Sequence, residues 1–418
     1  MSKLDELIAE LCPNGVEYKS LGEIATIARG GNFQKKDFCD RGVPCIHYGQ
    51  IYTKYGLFTD KTITFITEER AKKQKFAKTN DIIMAVTSEN IEDVCKCLAW
   101  LGNEDVAVSG HSAIISHNQN PKYLVYYFHS QMFFTQKRKL AHGTKVIEVT
   151  PDTLKSIKLP VPPLEVQREI VHILDSFTLL TAELTAELTA RKKQYEFYRD
   201  NLIKKEQHIS EVKKLADVAN IYDSLHQTPS YSNSGYSMVR VQDIKGGYLD
   251  EDKTLKVDES VWNLFTQKYT PRLNDIVVSR VGSYGNFALI PNDKCCLGQN
   301  VALIHPNINP KYLYHVLMST MTKQWINNNV KGASQKSFSL ADIKRVPVPV
   351  PKENIQQRIA EVLDNFEAIC TDLNIGLPAE IEARQKQYEY YRDLLLTFAE
   401  TGSTLMTDRQ TDRQTDRQ

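Results

Sequence analysis

Apolar and polar positions along this chain fall into two regimes, and each regime occurs twice. The first is mixed and strand-like. Asp81–Val86 and Asp275–Ser279 are short apolar runs entered after a polar turn, the pattern of buried strands. Gly30-Gly31, Gly246-Gly247 and the stretch from Gly282 to Gly285 mark turns between such runs. The second regime is helical. It begins after a Pro-Val-Pro stretch, which cannot sit in a helix interior. Ile170, Ile173, Phe177, Leu180, Leu184, Leu188, Tyr195, Tyr198 and Leu202 then follow in steps of three, four or seven. The later stretch repeats the habit with Ile359, Val362, Phe366, Ile369, Leu373, Leu377, Ile381, Tyr388, Tyr391 and Leu395. Each set predicts a long helix with a heptad-like seam broken by a stutter. From Glu165 to Lys204 the first is about 60 Å long. A helix of that length must bury its stripe. Its own duplicate is the economical partner, and a single core helix is the simpler alternative.

The duplication is also written in polar residues. Pro121-Lys122-Tyr123-Leu124 returns as Pro310-Lys311-Tyr312-Leu313, Gly143 as Gly332, and Pro160-Val161-Pro162 as Pro349-Val350-Pro351. Leu174-Asp175 before Phe177 returns as Leu363-Asp364 before Phe366. Gln194-Tyr195-Glu196 and Tyr198-Arg199-Asp200 return as Gln387-Tyr388-Glu389 and Tyr391-Arg392-Asp393, so the second copy has gained four residues between Phe366 and Arg384. The strand-rich parts diverge more. Ile46 to Ile51 lies opposite Val239 to Ile244, and there the apolar frame is kept while the polar residues change.

Composition narrows the class. With 41% hydrophobic and 25% charged residues, the 418-residue chain is globular and long enough for two or three domains. It has no apolar run of membrane-spanning length. Met1–Leu11 lacks the apolar core of a signal peptide, which predicts a cytoplasmic protein. Net charge is +1, but Met1–Pro160 carries roughly +3 and His208–Arg345 roughly +4, a balance that permits nucleic-acid binding without announcing it. Among eight cysteines, Cys95/Cys97 and Cys295/Cys296 have no second pair at zinc-site spacing and read as free thiols.

Thr181-Ala182-Glu183-Leu184 is followed at once by Thr185-Ala186-Glu187-Leu188. Each four-residue unit adds about 6 Å of helix and slightly more than one turn. The second helix has Asn374-Ile375-Gly376-Leu377-Pro378 in its place, a sequence that kinks or breaks a helix. Two divergent halves alternate with two near-identical helices. Leu159-Pro160-Val161-Pro162-Pro163 leads to Gln167, the Gln-Tyr-x-x-Tyr-Arg-Asp motif is repeated, and TAEL units stand in tandem. From Val16 to Glu400 this pattern resembles the specificity subunit of Type I restriction–modification systems, in the group with TAEL repeats in the central helix.

The resemblance implies an α+β chain with a pseudo-twofold duplication. Two globular target-recognition domains, 1–160 and 207–348, are separated by two long antiparallel coiled-coil helices, 161–206 and 349–400. Each domain would read one half of a split, asymmetric double-stranded DNA site while the helices set the gap. The partners implied are two modification subunits, which use S-adenosylmethionine to methylate adenine N6, and restriction subunits, which use ATP and Mg. This chain would bind no cofactor or metal itself and would have no catalytic residue.

No base-reading residue carries over from the family by motif. Side-chain chemistry nominates His47, Gln50, Ser88, Asn90 and Lys145 in the first half, and Arg240, Gln242, Arg280, Asn286, Gln335 and Lys336 in the second. For each, the ordinary reading is a solvated loop residue. The Gly143-Thr144-Lys145 and Gly332 to Lys336 loops stand out because glycine lets backbone approach DNA closely.

The chain has no Asn/Asp-Pro-Pro-aromatic motif, no phosphate loop and no paired histidines at helical spacing, which argues against an independent methyltransferase or nuclease. A coiled-coil protein scaffold, or an orphan DNA-binding protein without a restriction–modification role, would also account for a duplicated helical chain. The terminal Thr-Asp-Arg-Gln units, in residues 401–418, predict a disordered tail. Thr-Asp-Arg-Gln can be encoded by a repeating ACAG tetranucleotide, which predicts phase variation by slippage. An in-frame duplication explains the tail equally well.

Overall fold

The computed structural model describes residues 2–245, 247–249, 251–330, 337–372 and 375–401. Its chain divides into two compact units, Met1–Glu183 with Glu382–Gln418, and Leu184–Ile381. Gln335, Lys336, Leu373 and the Thr-Asp-Arg-Gln tail lie outside the described residues.

The first unit is built on a five-stranded sheet. Its strands are Ala25–Arg29, Ser112–His117, Ile82–Ala85, Cys97–Trp100 and Phe58–Thr59, in that order. Successive residues of a strand face opposite sides, and here both sides are buried. Ile82, Met84 and Ile115 join the core with Tyr123, Tyr126 and Tyr127 of the helix Pro121–Phe128. Ile83, Ala85 and Ile114 face a second core with Ile46, Leu98 and Trp100. Two-sided burial is why these strands read as unbroken apolar runs. A second five-stranded sheet contains Val43–Ile46 and Val106–Val108, which pair in parallel with Ala107 opposite Cys45.

The second unit repeats this plan. Ala219–Asp223, Val301–Pro306, Ile276–Ser279 and Phe287–Leu289 form a four-stranded sheet in the same relative order. Ile276, Val278 and Ile304 face one core, and Val277, Val301 and Leu303 the other. Tyr236–Val239 and Cys295–Leu297 pair in parallel, as their counterparts do in the first unit. All eight cysteines are free.

The first long helix runs from Leu164 to Ile209, past the expected Lys204. Its 46 residues span about 69 Å. The second helical stretch is broken, as its Gly-Leu-Pro sequence foretells, into Glu353–Thr371 and Leu377–Thr401. At the break the Asp372 carboxylate accepts the Ile375 N–H at 3.1 Å, and the Asp372 carbonyl accepts the Gly376 N–H at 3.1 Å. A Cβ at Gly376 would lie 2.6 Å from that carbonyl, so glycine is required there.

Both units pair helical segments. In the first, Phe177 stacks on Tyr391 with centroids 5.3 Å apart. In the second, Lys192 lies close enough to Cys370 to act on its thiol, Tyr195 reaches Glu367 and Tyr198 meets Phe366. Partner numbers fall as the first helix advances, so this pair is antiparallel. The predicted seam needs correction in register. Val362 and Ile369 are 42% and 44% exposed, and Tyr198 is 42% exposed despite its ring contact. The buried stripe keeps the expected Ile170 and Ile359 and continues through Leu174, Leu363 and Cys370, which the seam did not include. These helices pack against the domain helices as well as against each other, and the stripe turns toward that second contact. Ile173, Phe177, Leu180, Leu184, Leu188 and Phe366 are half-buried, while Tyr195 and Tyr388 are buried.

Candidate nucleic-acid interface

Because Val43–Ile46 and Val106–Val108 run in parallel, the residues that leave them emerge on one side. His47 and the Ser109-Gly110-His111 turn therefore lie together, joined there by Gly30-Gly31 at the end of Ala25–Arg29. A Cβ at Gly30 would sit 2.1 Å from the Ser109 carbonyl oxygen, so only glycine fits. These segments enclose a groove of 680 Å3 whose lining includes Arg29, Asn32, Tyr48, Lys73, Lys75 and His111. Its lining contains no carboxylate among the described residues.

His47 forms the inner wall. It caps the helix Tyr48–Thr53, with Nδ1 accepting the Gly49 N–H at 3.2 Å. Its ring lies 4.6 Å from that of Tyr48 and edge-on to Phe33 and Phe38. Burial first, then nearby Lys35, pushes the imidazole down to about 4, so His47 is neutral near pH 7. Gln50 is committed internally: its Oε1 accepts the His47 N–H at 2.9 Å, and its Nε2 donates to Thr64 Oγ1 at 3.1 Å.

Ser88, Asn90 and Lys145 do not line the groove. Ser88 belongs to the short strand Thr87–Ser88, paired with Ile147–Glu148. Asn90 closes on itself through Asp93, donating from Nδ2 at 2.8 Å and accepting the Asp93 N–H at 2.7 Å. Lys145 is exposed on the turn opened by Gly143, whose φ is +109°. A Cβ at Gly143 would meet the Val146 oxygen at 2.0 Å. Beyond the turn, Glu148 pairs with Arg29, which anchors this loop beside the groove.

The second unit has its own groove, of 440 Å3, with Tyr231, Arg240, Gln242, Ser283, Gln299 and Asn300 in its lining. Arg240 holds the place of His47. Its N–H donates to Asp243 Oδ2 at 2.9 Å, as His47 does to Gln50, and its guanidinium grips the same carboxylate at 3.0 Å. With its amide oxygen turned inward, Gln242 accepts from Arg240 Nη2 at 2.8 Å and leaves its NH2 facing out. Arg280 pairs instead with Asp223, and Asn286 Nδ2 donates to the Ser283 carbonyl at 2.8 Å within the glycine turn. Of the residues nominated from sequence, His47, Arg240 and Gln242 thus line grooves. Arg29, Tyr48, Lys73, Lys75, His111, Tyr231, Gln299 and Asn300 were missed. Tyr48, His111, Gln299 and Asn300 follow strands in the chain, but Lys73, Lys75 and Tyr231 do not, and parallel pairing across some 60 residues leaves no local mark of what it brings together.

The closely repeated residues moor the helices. Gln167 accepts the Asn120 N–H and donates to the Pro162 carbonyl, and Gln356 does the same for Asn309 and Pro351. Tyr123 and Tyr312 each donate to a proline carbonyl, of Pro160 and Pro349, at 3.0 Å. In the Tyr-Arg-Asp motifs, Asp393 accepts the Gln131 N–H at 3.2 Å and Asp200 the Thr320 N–H at 3.0 Å, each at a helix N-terminus. Arg392 and Arg199 lie over the rings of Tyr388 and Tyr195. One moored cluster differs between the units. Tyr126 donates to Asp175 at 2.6 Å, whereas His315 meets Asp364 at 2.8 Å beside Glu367. Those three donor groups lie within 4.8 Å of one another, but Lys311, Tyr195 and Tyr314 already engage them.

No helix among the described residues is long and apolar enough to cross a membrane. The model of the Type I restriction modification DNA specificity domain matches twice, at residues 13–191 and 209–383. The chain is 36% identical over 258 residues to the EcoR124I/EcoR124II specificity subunit of Escherichia coli, a match covering 58% of this chain and 63% of that protein. It is 29% identical over 313 residues to a Haemophilus influenzae chain provisionally named a type I restriction enzyme specificity subunit, covering 72% and 77%. Among solved structures, the S subunit of the Type I system of M. genitalium superposes with a TM-score of 0.51 at 12% identity, over 92% of this chain and 97% of that one. A chain from a study of type I R-M complex assembly and conformational transition gives 0.55 at 16%, over 93% and 98%. At such identities the structural likeness speaks for the fold. With the family model matched twice across most of its length, this chain belongs to the Type I restriction–modification DNA specificity family.

Proposed function

We propose that the chain is the DNA-reading, non-catalytic subunit of a Type I restriction–modification complex, with recognition domains at 1–160 and 207–348 that each read half of a split site. One observation carries this reading. The two units share strand order and mooring contacts, yet the side chains at their equivalent grooves differ. A repeated frame with unlike reading edges suits an asymmetric site, whereas identical readers favour a palindrome. His47, Arg240 and Gln242 are readers within their grooves, and Lys145 flanks the first. Ser88, Asn90, Arg280, Asn286, Gln335 and Lys336 remain secondary candidates, and the internal bonds of Gln50 make it a support for His47.

The repeated helical segments offer two similar docking surfaces, which fits two modification subunits. Those partners supply S-adenosylmethionine chemistry at adenine N6, and restriction subunits supply ATP- and Mg-dependent cleavage, all in the cytoplasm. Mapping N6-methyladenine across the genome with the gene intact and deleted tests the reading. Loss of one split motif on deletion is expected. An unchanged methylome, with the modification subunit expressed, refutes it in favour of a protein scaffold.

A further inference from the structure

We propose that the groove beneath Gly30-Gly31 is the first domain's DNA-reading edge, with Lys73 and Lys75 holding phosphates and Tyr48 and His111 facing bases. This rests on the DNA-reading function proposed above and assigns residues to it that no motif supplies.

Three observations point to this groove. The first is charge. Arg29, Lys73 and Lys75 line it with no carboxylate in its lining, and neither lysine has an ion-pair partner among the described residues. Both lysines are exposed. Unpaired cations around a concave surface attract a polyanion and release its counterions on binding. The second is the surface between them. The rings of His47, Tyr48 and His111 form a row, 4.6 Å and then 4.9 Å between centroids. His47 is the buried end of this row and His111 the exposed end. Tyr48 packs between His47 and His111 and lines the groove, so little side-chain freedom is left for it to lose on binding. The third is the repeat. His111 and Asn300 hold the same place after equivalent strands, and Asn300 lines the second groove beside Arg240 and Gln242. The backbone there is common to both copies and the side chains are not. That combination is expected where a duplicated frame reads two different sequences.

The chemistry divides the roles. Lysine at an open rim contacts phosphate and carries no sequence information. Tyrosine and histidine, like the asparagine and glutamines of the second groove, can donate to or accept from base edges.

The test uses the full complex of this chain with its modification subunits, on duplex DNA carrying the mapped site. Lys73→Ala with Lys75→Ala should lower the slope of log affinity against log salt by about 2, with the recognised motif unchanged. His111→Asn and Tyr48→Phe should alter the bases required in one half-site and leave the other half-site as it was. Retention of that other half-site also shows that the variants assemble and fold. An unchanged salt slope in the lysine variant, or an unchanged half-site in both ring variants, overturns the assignment. A motif that depends on the gene but not on these residues removes only this groove. A methylome indifferent to the gene removes the DNA-reading function itself.

Discussion

At the residue scale, His47 joins folding to the groove. It was legible as a polar residue following an apolar strand, but its burial was not, because Phe33, Phe38 and Tyr48 converge on it only in the fold. Burial has a measurable consequence. A histidine lowered to about 4 from its ordinary 6.5 stays neutral in the fold while the unfolded chain takes up a proton. Its neutral packing therefore contributes fully above pH 6.5, and the contribution is lost as pH falls toward 4. The whole effect is about 3 kcal/mol at most. His47→Asn keeps a capping acceptor and removes the titration. Urea denaturation at pH 7, 5.5 and 4.5 should show the variant losing less stability on acidification than the parent. His129, also lowered to about 4 by burial, leaves a residual slope in both. Equal losses would exclude His47 as a source. Arg280 shows the opposite limit of reading single residues. As a type it suits a guanine edge, yet it is tied to Asp223.

At the element scale, the helices were the most legible feature and their register the least. A seam of large apolar residues fixed the existence of both helices, and Gly376 with Pro378 foretold the break. Val362 and Ile369 misled because a helix that packs on two neighbours has a stripe wider than one seam, and periodicity alone does not say which edge is covered. The TAEL units lie mid-helix in an unbroken run, so their number sets its length. Inserting a third unit after Leu188 adds about 6 Å and rather more than one turn. If the helix spaces two readers, the recognised site should gain base pairs in its gap and keep both half-sequences. Mapping the methylated motif in the insertion strain checks this, and a fixed gap would refute the ruler.

At the scale of the whole molecule, chain order and spatial order differ. Tyr388, Leu395, Leu396 and Phe398 are buried in the first unit's core, beside Tyr123, Tyr126 and Leu174. Two matching halves were legible from the repeats, but not this exchange, because helices with the same apolar spacing satisfy any pairing rule that sequence can state. Leu395→Ala, nearly 400 residues from the N-terminus, should destabilise the first unit by ~2–4 kcal/mol. Amide exchange in Ile82–Ala85 should accelerate more than in Ile276–Ser279. The reverse ranking would contradict the division into units.

The same closure sets a timetable on the ribosome. The second unit, Leu184–Ile381, is complete in the nascent chain once Ile381 has emerged. The first unit, although synthesised first, waits for Glu382 to Thr401 before its core can close. Between the emergence of Ile381 and that of Thr401 the earlier-made unit is therefore the unfinished one, and chain termination between those residues damages the half that was synthesised first.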